Sequence, residues 1–108
     1  MKILVLPGDG IGEEITKATM AVLDVVNSRF SLGLKFYYKD IGFASLEKTG
    51  TTLPDEVLEE AKRSDGIILG PISHLDYPPR DQGGVNVSAV FRVKLDLYAN
   101  VRPARTRP

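Results

Sequence analysis

The chain has 108 residues, 43% apolar and 26% charged, a balance that supports one globular unit built around a single small core. Fourteen Lys and Arg offset fourteen Asp and Glu, so no net field draws in nucleic acid or an anionic membrane, and the lack of cysteine excludes disulfides and thiolate metal sites. After Met1-Lys2 the first apolar run is too short for a signal-peptide core or a membrane span, so a cytoplasmic protein is expected.

Ile3-Leu4-Val5-Leu6 is continuously apolar, as a strand covered on both faces requires, and this points to a parallel sheet between helices. Pro7 and the glycines that follow end it. Ile11, Ile15, Ala18, Val22, Val25 and Val26 recur at helical spacing and predict a helix whose apolar stripe lies on the sheet, fraying between Asn27 and Gly33. Leu34, Phe36 and Tyr38 alternate with Lys35, Tyr37 and Lys39, which predicts a second strand with one more exposed face. A turn or two of helix is expected between Ile41 and a stop at Gly50.

Pro54 followed by Asp55 and Glu56 marks a helix start, because proline lacks only a donor that the first turn cannot use and acids favour the positive end of the helix dipole. Val57, Leu58 and Ala61 would face inward. Gly66-Ile67-Ile68-Leu69-Gly70 reads as a third buried strand, and the strand-helix alternation implies right-handed crossovers in an α/β sheet. Pro71 to Val85, rich in Pro and Gly, is expected to be a loop longer than most connections, of the kind that carries sites. Val87, Val90, Phe91 and Leu95 fit one helix face, which places Ser88 and Arg92 together on another side. Leu97 to Val101 is expected to form a final strand. Arg102, Arg105 and Arg107 make a locally basic tail, best read as solvated surface.

Gly8-x-Gly10-x-Gly12 between strand and helix invites a dinucleotide-binding reading, with Asp40 where a ribose-binding acid would stand. The fingerprint needs Gly or Ala where this chain has Glu13, whose charge would repel a phosphate at the helix terminus. A Rossmann domain is therefore disfavoured. A tight turn without a ligand remains open on these residues alone.

The run Leu6-Pro7-Gly8-Asp9-Gly10-Ile11-Gly12, taken with Arg92 and with Leu95-Asp96-Leu97-Tyr98-Ala99-Asn100-Val101-Arg102-Pro103, resembles the β-decarboxylating dehydrogenases. These include 3-isopropylmalate, isocitrate, homoisocitrate and tartrate dehydrogenases. The resemblance spans the whole chain, including Gly70-Pro71 ahead of the proline-rich loop. It implies an α/β fold of isocitrate/isopropylmalate dehydrogenase type, with helices packed on a largely parallel sheet, distinct from a Rossmann domain. Residues 1–108 would be an amino-terminal portion, an incomplete domain.

By that resemblance Arg92 and Arg102 would hold substrate carboxylates, and a planar guanidinium does grip a carboxylate through two charge-assisted bonds. The competing reading is surface ion pairing. Ile11 and Gly12, with Ile72 and Ser73, would approach the nicotinamide end of NAD, and Tyr77 and Arg80 are further candidates from the same loop. Before the first arginine this chain departs from the family's familiar patterns. Isopropylmalate enzymes usually carry a glutamate and leucines there, where this chain has Val85, Ser88 and Ala89. Isocitrate enzymes resemble Ser-x-Asn, which appears inverted as Asn86-Val87-Ser88. Asn86 and Ser88 can donate hydrogen bonds to a polar substrate group, or cap the helix, or do both. His74 with Asp76 is a poor coordination set and is read as a solvated loop pair.

The family oxidises the secondary alcohol of a malate-type acid by hydride transfer to NAD. It then releases carbon dioxide from the β-keto acid with help from Mg or Mn. The resemblance places the metal ligands and the acid-base groups beyond Pro108, so no catalytic or metal residue is expected within this chain, which alone should be inactive. A small dicarboxylate substrate, no nucleic-acid or membrane partner and a homodimer are implied. The reading from a different class is a noncatalytic regulatory or binding subunit.

Overall fold

The computed structural model describes residues 1–107. Strand β1 (Lys2–Leu6) lies at the centre of a three-stranded sheet, flanked in parallel by β2 (Lys35–Tyr38) and β3 (Gly66–Leu69). Leu4 stands opposite Tyr37 on one side and Ile67 on the other. Leu4, Val5 and Leu6 are fully buried, as expected of an apolar run with both edges and both faces covered. β3 has β1 on one side only, and Leu69 at its end reaches solvent.

Four helices connect and cover the sheet: α1 (Gly12–Phe30), α2 (Gly42–Thr49), α3 (Asp55–Lys62) and α4 (Val87–Lys94). The core joins Leu4 and Leu6 with Ile41, Leu53, Val57, Ala61, Val87 and Phe91, so α3 and α4 meet one face of β1. The inward residues expected on α3 and α4 are the ones found there, and Pro54 stands just before the first turn of α3. α2 stops at Gly50, whose left-handed φ of 79° lets its N–H close on the Leu46 carbonyl.

The face of α1 differs from expectation. Gly12, Thr16 and Met20 are buried and, of the expected stripe, only Val26 is half-buried, whereas Val22 is 63% exposed and Ile11, Ile15, Ala18 and Val25 are exposed with it. The stripe spaced 11-15-18-22-25 is real, but the buried row is displaced by one position, a rotation of about 100°. Close approach decides this: a Cβ on Gly12 would collide with the Pro7 carbonyl, so the bare glycine edge is the one that sits down. The helix ends at Phe30, within the expected stretch from Asn27 to Gly33. Ser31 turns left-handed, the Leu32 N–H donates to the Asn27 carbonyl at 3.1 Å, and the Asn27 side chain pairs with both backbone groups of Leu34.

Two further expectations change. In β2 only Phe36 is partly buried and Tyr38 is exposed, so the inward face is narrower than the alternation suggested. Leu97–Val101 is not a strand. These residues are exposed and none of the three strands pairs with them, and a strand is defined by its ladder partner. The turn into this segment is well formed: Asp96 takes a left-handed φ of 50°, its N–H donates to Val93, and the Leu97 N–H donates to the Arg92 carbonyl.

Replacing Gly12 by Ala should destabilise the protein by about 1–3 kcal/mol, because the obstructing atom is backbone and cannot turn aside; the midpoint of urea unfolding measures this. Asp96→Gly should act in the opposite sense, raising stability by about 0.5–1 kcal/mol in the same titration, since glycine enters the left-handed region without the Cβ clash.

Candidate functional site

In a sheet ordered β2-β1-β3 the chain leaves β1 towards β2 and later crosses back to β3. The loops that follow β1 and β3 therefore leave from neighbouring carboxyl ends, which is where open α/β sheets form ligand crevices. Here those loops are the glycine turn after Leu6 and the segment from Gly70 to Asn86. They are drawn together by bare backbone. A Cβ on Gly8 would strike the Pro71 carbonyl, and one on Gly70 would strike the Pro7 carbonyl. The Gly70 N–H donates to Leu6 and the Asp9 N–H to Pro71, both at 2.8 Å.

Asp9 is the centre of this junction. The residue is 6% exposed, and its carboxylate accepts from three donors: Phe43 N–H at 2.8 Å on Oδ1, then Ser73 N–H at 3.0 Å and the Tyr77 hydroxyl on Oδ2. The carboxylate rests against Gly42, which has a φ of 67° and no room for a Cβ. Burial, reinforced by the bond to Asp9, raises the Tyr77 phenol well above its ordinary value, so it remains a protonated donor. The Tyr77 ring meets Phe43 edge to face, with centroids 5.0 Å apart.

The loop expected between Pro71 and Val85 holds two short turns, His74–Asp76 and Arg80–Gln82, and is anchored at both ends. Asp9 holds the first end. Thr52, fully buried, holds the second: its N–H donates to the Gly83 carbonyl, and its hydroxyl donates to the Val85 carbonyl at 2.9 Å while accepting from the Val85 N–H at 2.8 Å. Val85 and Asn86 lead directly into α4. Asn86 caps that helix, its Oδ1 accepting from the Ala89 N–H at 3.1 Å, which leaves the amide nitrogen as a donor.

Ser88 and Arg92 come together as the spacing predicts. The Arg92 Nε donates to the Ser88 carbonyl at 3.3 Å, and both residues line an open groove of about 620 Å³ beside the free edge of β3. Leu69 and Phe91 supply its apolar floor, and Leu97 is the last residue of the chain to line it. Arg102 lies further on, exposed, in the segment after Asp96. No salt bridge engages Arg92 or Arg102 among the described residues.

Of the residues expected near a cofactor, Gly12 is buried at the start of α1 and Ile11 stands exposed just before it. Ile72 packs partly against the core, and Ser73 is held through its N–H by Asp9. Gly12 and Ser73 are thus tied to the same junction, Gly12 through its N–H to the Asp9 carbonyl at 2.9 Å. Arg80 is exposed. Among the described residues no group of three or more His, Cys, Asp or Glu is placed to hold a metal ion, and no helix is long and apolar enough to cross a membrane.

Sequence reasoning overlooked Asp9 and Thr52. The signal for Asp9 was present: a carboxylate between two glycines in an apolar turn must find donors nearby. Nothing local marks Thr52, whose partners lie more than thirty positions away.

Known proteins of one family match this chain. A family model described as isocitrate/isopropylmalate dehydrogenase matches residues 2–108. The chain is 42% identical to a 3-isopropylmalate dehydrogenase from Hahella chejuensis and 38% identical to one from Prochlorococcus marinus, covering 99% of this chain and 30% of the relative in both cases. Among solved structures it resembles isocitrate dehydrogenase from Methylococcus capsulatus, with a TM-score of 0.72 and 31% identity over 90% of this chain and 26% of that one. A β-decarboxylating dehydrogenase from Thermococcus kodakarensis gives a TM-score of 0.69 and 32% identity over 90% and 27%. The chain therefore spans about 30% of the length of the curated relatives it matches. With a match running from residue 2 to residue 108 and a parallel α/β sheet of the same fold, the chain belongs to the isocitrate/isopropylmalate dehydrogenase family.

Proposed function

We propose that the protein is an NAD-dependent oxidative decarboxylase of 3-isopropylmalate dehydrogenase type, acting on a malate-type 2-hydroxy dicarboxylic acid, with residues 1–108 as its amino-terminal α/β portion. Isocitrate, homoisocitrate and tartrate are the neighbouring substrate choices. The observation that carries the reading is the placement of Arg92 and Ser88 on one side of α4, lining a groove along the free edge of β3. The names of the relatives support the reaction class.

In this reading Arg92 and Arg102 grip the two carboxylates of the acid, and Ser88 and the free amide nitrogen of Asn86 donate to its polar groups. Such clamping contributes by holding the reacting bond in one orientation, and an arginine moves no proton at neutral pH. NAD, when bound, accepts the hydride. Ile11, Gly12, Ile72 and Ser73 would line its nicotinamide end, offering backbone groups, a hydroxyl and aliphatic surface, while Glu13 and Glu14 in the first turn of α1 oppose a phosphate there. Mg or Mn belongs to the same reading, with its ligands outside this chain, which offers no ligand set for it among the described residues. The reading carries with it a cytoplasmic homodimer without nucleic-acid or membrane partners.

The protein should form NADH from at least one of isopropylmalate, isocitrate, homoisocitrate or tartrate when supplied with Mg or Mn, followed by absorbance at the nicotinamide band. Arg92→Ala should lower kcat/KM for that acid by about 100-fold or more and Arg92→Lys by about tenfold, as befits loss or weakening of a charge-assisted bidentate contact. Absence of turnover with all four acids, alongside measurable dicarboxylate binding, would favour a noncatalytic binding subunit instead.

A further inference from the structure

We infer that Asp9 is a positioning residue whose carboxylate holds the Ile72–Tyr77 segment in the conformation that meets the dinucleotide. The inference rests on the cofactor placement proposed above and adds to it the residue that sets the loop.

An ionised carboxylate only accepts hydrogen bonds, and every one of the three groups facing Asp9 is a donor in this arrangement: two backbone N–H groups and a phenol held in its protonated form. The donors come from three separate places, the start of α2, the first residue after Ile72 and the far side of the His74–Asp76 turn. One side chain therefore fixes the loop at two points four residues apart and ties both to α2. The rest of the junction is shaped to admit that carboxylate. Gly42 has no side chain where the carboxylate lies, the Asp9 N–H is engaged with Pro71, and the Phe43 and Tyr77 rings close over the loop edge to face.

The amide of asparagine has the same outline and the wrong chemistry. With its oxygen towards Phe43, its NH2 confronts the Ser73 N–H; turned round, it confronts the Phe43 N–H. In either orientation one part-buried backbone donor loses its acceptor, whereas Tyr77 can reverse its role and accept. The first orientation releases the loop at Ser73 and the second releases its tie to α2 at Phe43, in both cases without loss of side-chain volume. Arg92 and Ser88 hang from the other anchor, Thr52, so the dinucleotide and the acid should respond differently.

The test uses Asp9→Asn and Tyr77→Phe in the protein. Asp9→Asn should raise KM for NAD by about tenfold or more, the effect of one lost backbone bond, while KM for the acid stays within about twofold. Amide hydrogen exchange supplies a readout independent of turnover. Either the Ser73 or the Phe43 N–H should exchange about tenfold faster, with the Val85 N–H, held by Thr52, unchanged. Tyr77→Phe keeps both backbone bonds and should raise KM for NAD by about two- to fivefold with both amides still protected. It carries the test if Asp9→Asn fails to accumulate.

Unchanged exchange at both amides in Asp9→Asn overturns the inference. So does an unchanged KM for NAD, or an equal rise in both KM values with Val85 also losing protection, which would mark a general loss of structure. If the unmodified protein reduces no NAD with any of the acids, the function proposed above fails. Faster exchange confined to Ser73 or Phe43 would then still support the hold of Asp9 on the loop.

Discussion

Backbone lies directly against backbone where β1 ends. Gly12 and Gly70 both approach the carbonyl of Pro7, and Gly8 approaches that of Pro71, each so closely that a methyl group could not be placed between them. These contacts bring the start of α1, the end of β1 and the end of β3 to one point. They fix which edge of α1 faces the sheet, and they place the loop after β3 over the turn after β1. Without them the buried carboxylate of Asp9 would have no enclosure and its donors would not converge. Glycine serves here by what it lacks, and only Gly8 of the three also needs its positive φ, of 78°.

Much of the fold was legible in the residues. A short apolar run with no alternation can be a strand only if covered on all sides, and β1 occupies the middle of the sheet. The acids after Pro54 and the stop at Gly50 mark helix ends through local chemistry that does not depend on distant partners. The errors came where a neighbour decides. On α1 the β-branched row is more apolar than the row that is buried, so periodicity identified an apolar face but not the layer that would cover it. The segment from Leu97 to Val101 has the composition of a strand and no ladder to join.

The candidate site divides in the same way. Ser88 and Arg92 are four apart on a helix, so geometry alone brings them together. The junction at Asp9 could not be read, because its donors at Phe43, Ser73 and Tyr77 are 34 to 68 positions distant and two of them are backbone groups, which leave no mark in the residue alphabet. Thr52 is silent for the same reason. A hydroxyl that both donates to and accepts from one residue imitates a rung of sheet, and any threonine could do it if the chain returned to that spot.

The central position of β1 has a bearing on how the molecule is made. The residues of β1 are made before those of β2 and β3, yet Lys2 must wait for Asp65, 63 positions later, to accept its N–H, and the β3 ladder closes only then. Bringing such distant stretches together costs chain entropy before any pairing rewards it. During synthesis, therefore, the segment that becomes best protected is the one left longest without shelter, with only β2 to shield one flank.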